Sequence, residues 1–146
     1  MGRRRARMRA TANWVNGSTV LGLGLAAVQG ARPGRDADGI WHASGVRGPH
    51  GRRVFTVGNV VLHRHGTAYL HRRPGLLAHE RAHATEWAWT GPAFVPLYLT
   101  ECLISWVVTG DAANGNAFEI GAGLGRGGYS TPALRRRARR RARSAA

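Results

Sequence analysis

The distribution of apolar and polar positions divides the chain into recognisable elements. Residues 54–64, VFTVGNVVLHR, are rich in β-branched side chains and read as the clearest strand, with Gly58-Asn59 as a bulge or bend within it. A shorter strand candidate, IWHASGV (40–46), lies between two turn-rich stretches, GRDADG and RGPHGRR. Upstream, NWVNGSTVLGLGLAAVQGARPG reads as a short helix that Asn16 or Ser18 can cap and that Gly30 and Pro33 stop. Pro74 sits at a natural first helical turn and opens a helix over about 75–89. Thr90-Gly91-Pro92 breaks it, and an apolar helix follows over 94–108. After the loop TGDAANGN, Asn116 caps a third helical piece, AFEIGAGL, and GRGGYSTP then loses regular structure. The order predicts an α+β domain: a small sheet, then a long helix packed on an apolar helix and a short third one.

The apolar run AFVPLYLTECLISWVVT (93–109) holds Pro96 and Glu101 and lacks the roughly 20 uninterrupted apolar residues of a membrane span. It reads as a buried core helix, with a membrane-embedded hairpin as the alternative. Trp87, Trp89 and Trp106 are expected to pack the two long helices together. The first 31 residues combine a basic start with the apolar VLGLGLAAV, but TANWVNGST separates the two and the run is interrupted by glycine. This favours an uncleaved, cytoplasmic chain over a secreted or membrane-associated one.

At 146 residues the chain is one domain, and its formal charge of +15 suggests a nucleic-acid binder until the charges are located. Twelve of the 22 basic residues lie in two terminal blocks, residues 3–9 and 135–143. Only ten are left in the body, against all seven acids. Every basic residue is arginine, which fits a GC-rich coding bias. The blocks are expected to be disordered, giving a basic arm (1–12), a domain (13–129) and an arginine-rich tail (130–146). Such tails can contact nucleic acid or an anionic membrane without specificity. The single cysteine, Cys102, excludes an internal disulfide and a cysteine-based zinc site. GLGLAA and GLGRGG match a loose dinucleotide fingerprint but lack the strand, helix and distal acid that would give it meaning.

The chemistry is concentrated in LLAHERAHATEWAW (76–89), where His79-Glu80-x-x-His83 forms an HExxH pattern. On a helix His79 and His83 share a face one turn apart and can converge on one ion, with Glu80 placed to take a proton from water. In a chain of this composition about 0.01 such matches arise by chance. A catalytic zinc site needs a third protein ligand. Glu86 lies too far round the same helix, and Asp111 sits in a loop without support. Glu101 comes level with His83 if the apolar helix folds back antiparallel. Glu119 opens the capped third helix. Geometry leaves Glu101 and Glu119 both open. Tyr98 and His71 are weaker candidates as oxyanion donors, and both read as structural. His63 and His65, at a strand end, have the wrong geometry to join the helical pair.

The stretch AHERAHATEWAWTGPAFVPLYL followed by GNAFEIGAG resembles a group of small bacterial zincin-like proteins with the pattern HERxHxxQ, Gly-Pro, an aromatic-proline-tyrosine helix and Asn-x-Phe-Glu. The upstream FTVGNVVL is also similar, so the likeness spans about residues 54–129. It implies a metallopeptidase-type zinc site with His79, His83 and Glu119 as ligands and Glu80 as general base, acting on a peptide or protein. The Glu101 position is usually apolar in that pattern. Glu86 departs from it by standing where glutamine is expected, and EIGAG by replacing a more polar continuation. Two other readings remain: a zinc-stabilised domain without catalysis, and a basic membrane- or nucleic-acid-associated protein in which the histidines are incidental.

Overall fold

The structure, a computed structural model, describes residues 2–48 and 54–129. Residues 49–53 of the RGPHGRR turn and the arginine-rich tail lie outside the described residues. The chain is α+β, built on a four-stranded sheet of order β1-β2-β4-β3. Its strands are β1 (Gly34–Arg35), β2 (Trp41–Ser44), β3 (Val54–Val57) and β4 (Val60–His63). β2 and β4 run parallel, while the other pairs are antiparallel. The helices are α1 (Arg3–Val15), α2 (Ser18–Val28), α3 (Thr67–His71), α4 (Pro74–Thr90), α5 (Phe94–Thr109) and α6 (Ala117–Ala122).

Alternation along β4 sets the layers. Val60 and Leu62 point to one face, where they pack with Ala26 of α2, Ala43 and Val46. Val61 points to the other, against Ile40, Leu70 of α3 and Ala84 of α4. Both faces are covered, so β4 is buried along its whole length, with Val60, Val61 and Leu62 apolar in succession.

The VFTVGNVVLHR segment is two strands rather than one with a bend. Val57 pairs with Val60, which leaves Gly58-Asn59 as a two-residue hairpin turn. Gly58 takes φ +60°, the conformation that a glycine-first turn needs and other residues resist. A Cβ there would also lie 2.3 Å from the Ser18 carbonyl carbon, because the start of α2 rests on the turn.

The basic arm is helical, not disordered. Ala6, Arg9, Ala10 and Asn13 fall at helical spacing and are buried as one face of α1. Arg9 donates to Asn59 Oδ1 (2.9 Å) and to the Asp38 carbonyl (3.0 Å). Asn13 donates to the Ala84 carbonyl of α4 (2.8 Å), and Asn16 to that of Trp87 (3.0 Å). Asn16 Oδ1 also accepts from the Ser18 backbone at the start of α2 (3.0 Å). Arginine and alanine are good helix formers, so a run that looks like solvated charge can fold once every third or fourth position has something to bind.

α5 is not a core helix. Of its residues, Phe94 and Ser105 are buried, while most of its apolar side chains face outward. Trp87 packs inside against Phe94, with ring centroids 4.9 Å apart, but Trp89 and Trp106 are 86% and 61% exposed and do not join the two helices.

Candidate metal centre

α4 carries the first half of the site. Its inward face holds His79, Glu80, His83, Ala84 and Trp87, all buried. Ala84 and Trp87 fix the helix rotation: Ala84 packs against the sheet, and Trp87 Nε1 donates to the Thr56 carbonyl of β3 (3.1 Å). The two histidines are thereby turned away from the sheet toward α6.

α6 supplies the third group. The Asn116 side chain caps it, accepting from the backbone N–H groups of Phe118 (2.9 Å) and Glu119 (3.3 Å). The capped first turn points Glu119 at α4, where it is fully buried. Its Oε2 lies 3.2 Å from His79 Nε2 and 3.7 Å from His83 Nε2, and the two nitrogens are 3.0 Å apart. Glu101 does not take part: its Oε2 accepts from the Ala117 N–H (3.2 Å) and so supports the start of α6.

The hydrogen bonds around these groups fix which atoms face the centre. Nδ1 of His83 lies 2.7 Å from Glu86 Oε2, and Nδ1 of His79 lies 3.3 Å from the Gly123 carbonyl oxygen. A carboxylate and a carbonyl only accept, so both Nδ1 atoms carry protons. In the neutral rings this leaves a lone pair on each Nε2, and both aim at one point. Glu119 is divided similarly. Its Oε1 accepts from the hydroxyls of Tyr98 and of Tyr129 (3.1 Å for Tyr129), so Oε2 is the oxygen turned to the histidines.

Three lone-pair donors from a His/His/Glu set therefore converge. Tetrahedral zinc with bonds of about 2.0–2.2 Å needs ligand atoms roughly 3.3 Å apart. The separations of 3.0, 3.2 and 3.7 Å bracket that value, and the donor set is one that zinc accepts.

The electrostatics fit the same picture. Burial opposes protonation of His83, yet Glu119 and Glu86 on either side outweigh it and raise its pKa to about 9. For Glu119, burial favours the neutral acid, but hydrogen bonds from His79, His83 and Tyr98 hold the carboxyl well below the usual carboxylate range. A cationic centre is thus electrostatically preferred, whether the charge is a proton or a metal.

Glu80 is buried on the same helix, and its Oε2 accepts from Thr56 Oγ1 (2.7 Å). Burial pushes its pKa up, against the pull of the Thr56 hydrogen bond and the nearby histidines. One carboxylate oxygen is thereby fixed by β3.

Comparison with known proteins leaves the site to be read on its own chemistry. No family model, curated protein or solved structure matches the chain.

The other described histidines lie apart from this cluster. His42 pairs with Asp36 (3.2 Å), His63 Nδ1 bonds the His65 carbonyl, and His71 is exposed at the end of α3. Tyr98 is not placed as an oxyanion donor; it binds Glu119.

Sequence reasoning did not find Thr56, Tyr129 or the role of residues 123–129. That segment closes over His79, and a Cβ on Gly127 would lie 2.7 Å from His79 Cε1. At Gly127 the backbone of GLGRGG rests on the imidazole ring, where a larger residue would not fit. The glycine run itself was the available signal.

Proposed function

We propose that the protein is a zinc-dependent hydrolase of the metallopeptidase type, with His79, His83 and Glu119 as ligands and Glu80 as general base. The observation that carries this reading is the convergence of His79 Nε2, His83 Nε2 and Glu119 Oε2 with Glu80 beside them on an HExxH helix. The resemblance of residues 54–129 to small zincin-like proteins supports it. A bound zinc ion would supply Lewis acidity, polarising a carbonyl and acidifying water. The Glu80 carboxylate takes the proton of the attacking water and delivers it to the leaving amine. Thr56 holds that carboxylate in register, while Glu86, Gly123, Tyr98 and Tyr129 keep the three ligands aimed inward.

A second reading, a zinc-stabilised domain without catalysis, is favoured by one feature. The ligands are buried and the 123–129 segment lies across them, as in a closed structural site. Metal analysis of the purified protein, with melting curves before and after chelation, tests both. Absence of bound zinc together with an unchanged Tm would sink both. Glu80→Gln separates them: retained zinc and stability with loss of peptide hydrolysis supports the enzyme. A wild type that cuts no member of a peptide library supports the structural site.

A further inference from the structure

α5 presents a surface that neither metal reading uses. On a helical wheel of 100° per residue, its buried or half-buried positions, among them Phe94, Tyr98, Glu101 and Ser105, fall within one stripe facing α4 and α6. The remaining arc, roughly 220° wide, carries eight apolar side chains from Val95 to Val108 that are 43–76% exposed. Together they expose on the order of 800 Å², more than the roughly 300–600 Å² of the largest apolar patch on an ordinary monomer.

This arc contains no charged residue. Its polar member, Thr100, donates its hydroxyl to the Pro96 carbonyl (2.8 Å), so its donor is satisfied within the helix, as a hydrocarbon environment requires. The helix's one acid, Glu101, is turned inward to the Ala117 N–H. Trp106 lies within the arc, and Trp89 stands exposed at the end of α4, just before α5 begins.

We infer that α5 immerses this face in one leaflet of an anionic lipid bilayer. Width separates this occupant from a second copy of the chain. A packed partner helix covers a stripe of about 100°, whereas fluid acyl chains can wrap a protruding helix over the whole arc. Charge points the same way. The chain has 22 arginines against seven acids and exposes Arg3, Arg4, Arg5 and Arg7 on α1. This balance attracts anionic headgroups and repels another copy. The helical run Pro74–Thr109 is long and apolar enough to cross a membrane by length and composition. Its α4 part, however, packs His79, Glu80 and His83 inside the protein. α5 alone, at 16 residues and about 24 Å, falls short of the roughly 30 Å hydrocarbon core, so it lies in one leaflet.

The test is flotation of the full chain with phosphatidylcholine vesicles, with and without phosphatidylglycerol, at low and high salt. The wild type is expected to float with anionic vesicles and to remain bound at high salt, where arginine attraction is screened. A Leu99→Gln, Leu103→Gln, Val107→Gln variant changes exposed positions only. Its unaltered circular dichroism should accompany a drop of about tenfold or more in high-salt partition. Lipid-borne quenchers should dim the wild-type fluorescence, and Trp106→Phe should remove part of that quenching. Binding that salt abolishes and the triple variant leaves unchanged would mean arginine contact alone and overturn the inference. So would failure to float, and in that case self-association abolished by the triple variant would assign the face to a second copy.

Discussion

Glu86 tests whether the His/His/Glu cluster is built for a metal. Its carboxylate accepts from His83 Nδ1 at 2.7 Å, which fixes the ring and directs Nε2 inward. Replacing Glu86 by alanine removes a charge-assisted hydrogen bond worth about 1.5–3 kcal/mol. The side chain is 21% exposed, so water partly compensates and the lower end applies. A loss of about 1.5 kcal/mol weakens zinc about tenfold, within the roughly 10–100-fold usual for partners behind metal ligands. Glu86→Gln keeps an acceptor without the charge and should fall between alanine and wild type. Competition with a chromophoric chelator at a pH above about 9, where His83 carries no competing proton, measures all three. Without metal, the raised pKa of His83 contributes stability that is complete below about 6.5 and is lost as pH rises through about 9. Metal-free protein should therefore lose stability toward alkaline pH, and saturating zinc should remove that slope because His83 no longer titrates. Wild-type affinity in Glu86→Ala, or a Glu86→Gln variant weaker than Glu86→Ala, would refute the orienting role.

Gly58→Ala should cost more than about 2 kcal/mol in urea unfolding, because it adds a Cβ against Ser18 at a left-handed position. Asp36 is held well below its usual pKa: hydrogen bonds from His42, Ile40 and Arg81 outweigh the opposing effect of burial. Its contribution is present above about pH 3.8 and lost below it, so Asp36→Asn should be less stable at neutral pH and flatten the acid limb of a stability–pH curve. Removing residues 135–143 should lower retention on RNA or heparin at low salt and leave zinc content unchanged. Unaltered retention would show that the arginine tail makes no such contact.

The candidate cluster was legible where chemistry and helical period coincide. His79, Glu80 and His83 needed only an i, i+4 face. The choice of Glu119 over Glu101 was not available from spacing, because it depends on the path of α5. That helix does not bring Glu101 to the histidines; Glu101 turns to the Ala117 N–H and Asn116 aims Glu119 instead. The hairpin was written in the sequence, since Gly-Asn between two β-branched runs is a turn signal, yet the same dipeptide also fits a bulge within one longer strand. Counting arginines concealed α1, whose order comes from what Arg9 and Asn13 reach 50 and 71 residues away. The outward face of α5 was hidden for a different reason: apolar composition reports a preference for a nonpolar surrounding without saying whether protein provides it.

The six residues of α6 are too few to sustain a helix on their own. The short helix is held by α5: Glu101 binds its first N–H, Tyr98 binds its glutamate, and Asn116 donates to Cys102 Sγ (3.3 Å). Any affinity of the cluster for a metal would then be the intrinsic affinity scaled by the fraction of molecules in which α6 is in place. Anything that steadies α5 raises that fraction. By thermodynamic reciprocity, a metal bound there would in turn strengthen whatever grips α5, and by the same factor. If that grip is a bilayer, the ion and the lipid are each other's effectors, coupled through a helix of less than two turns.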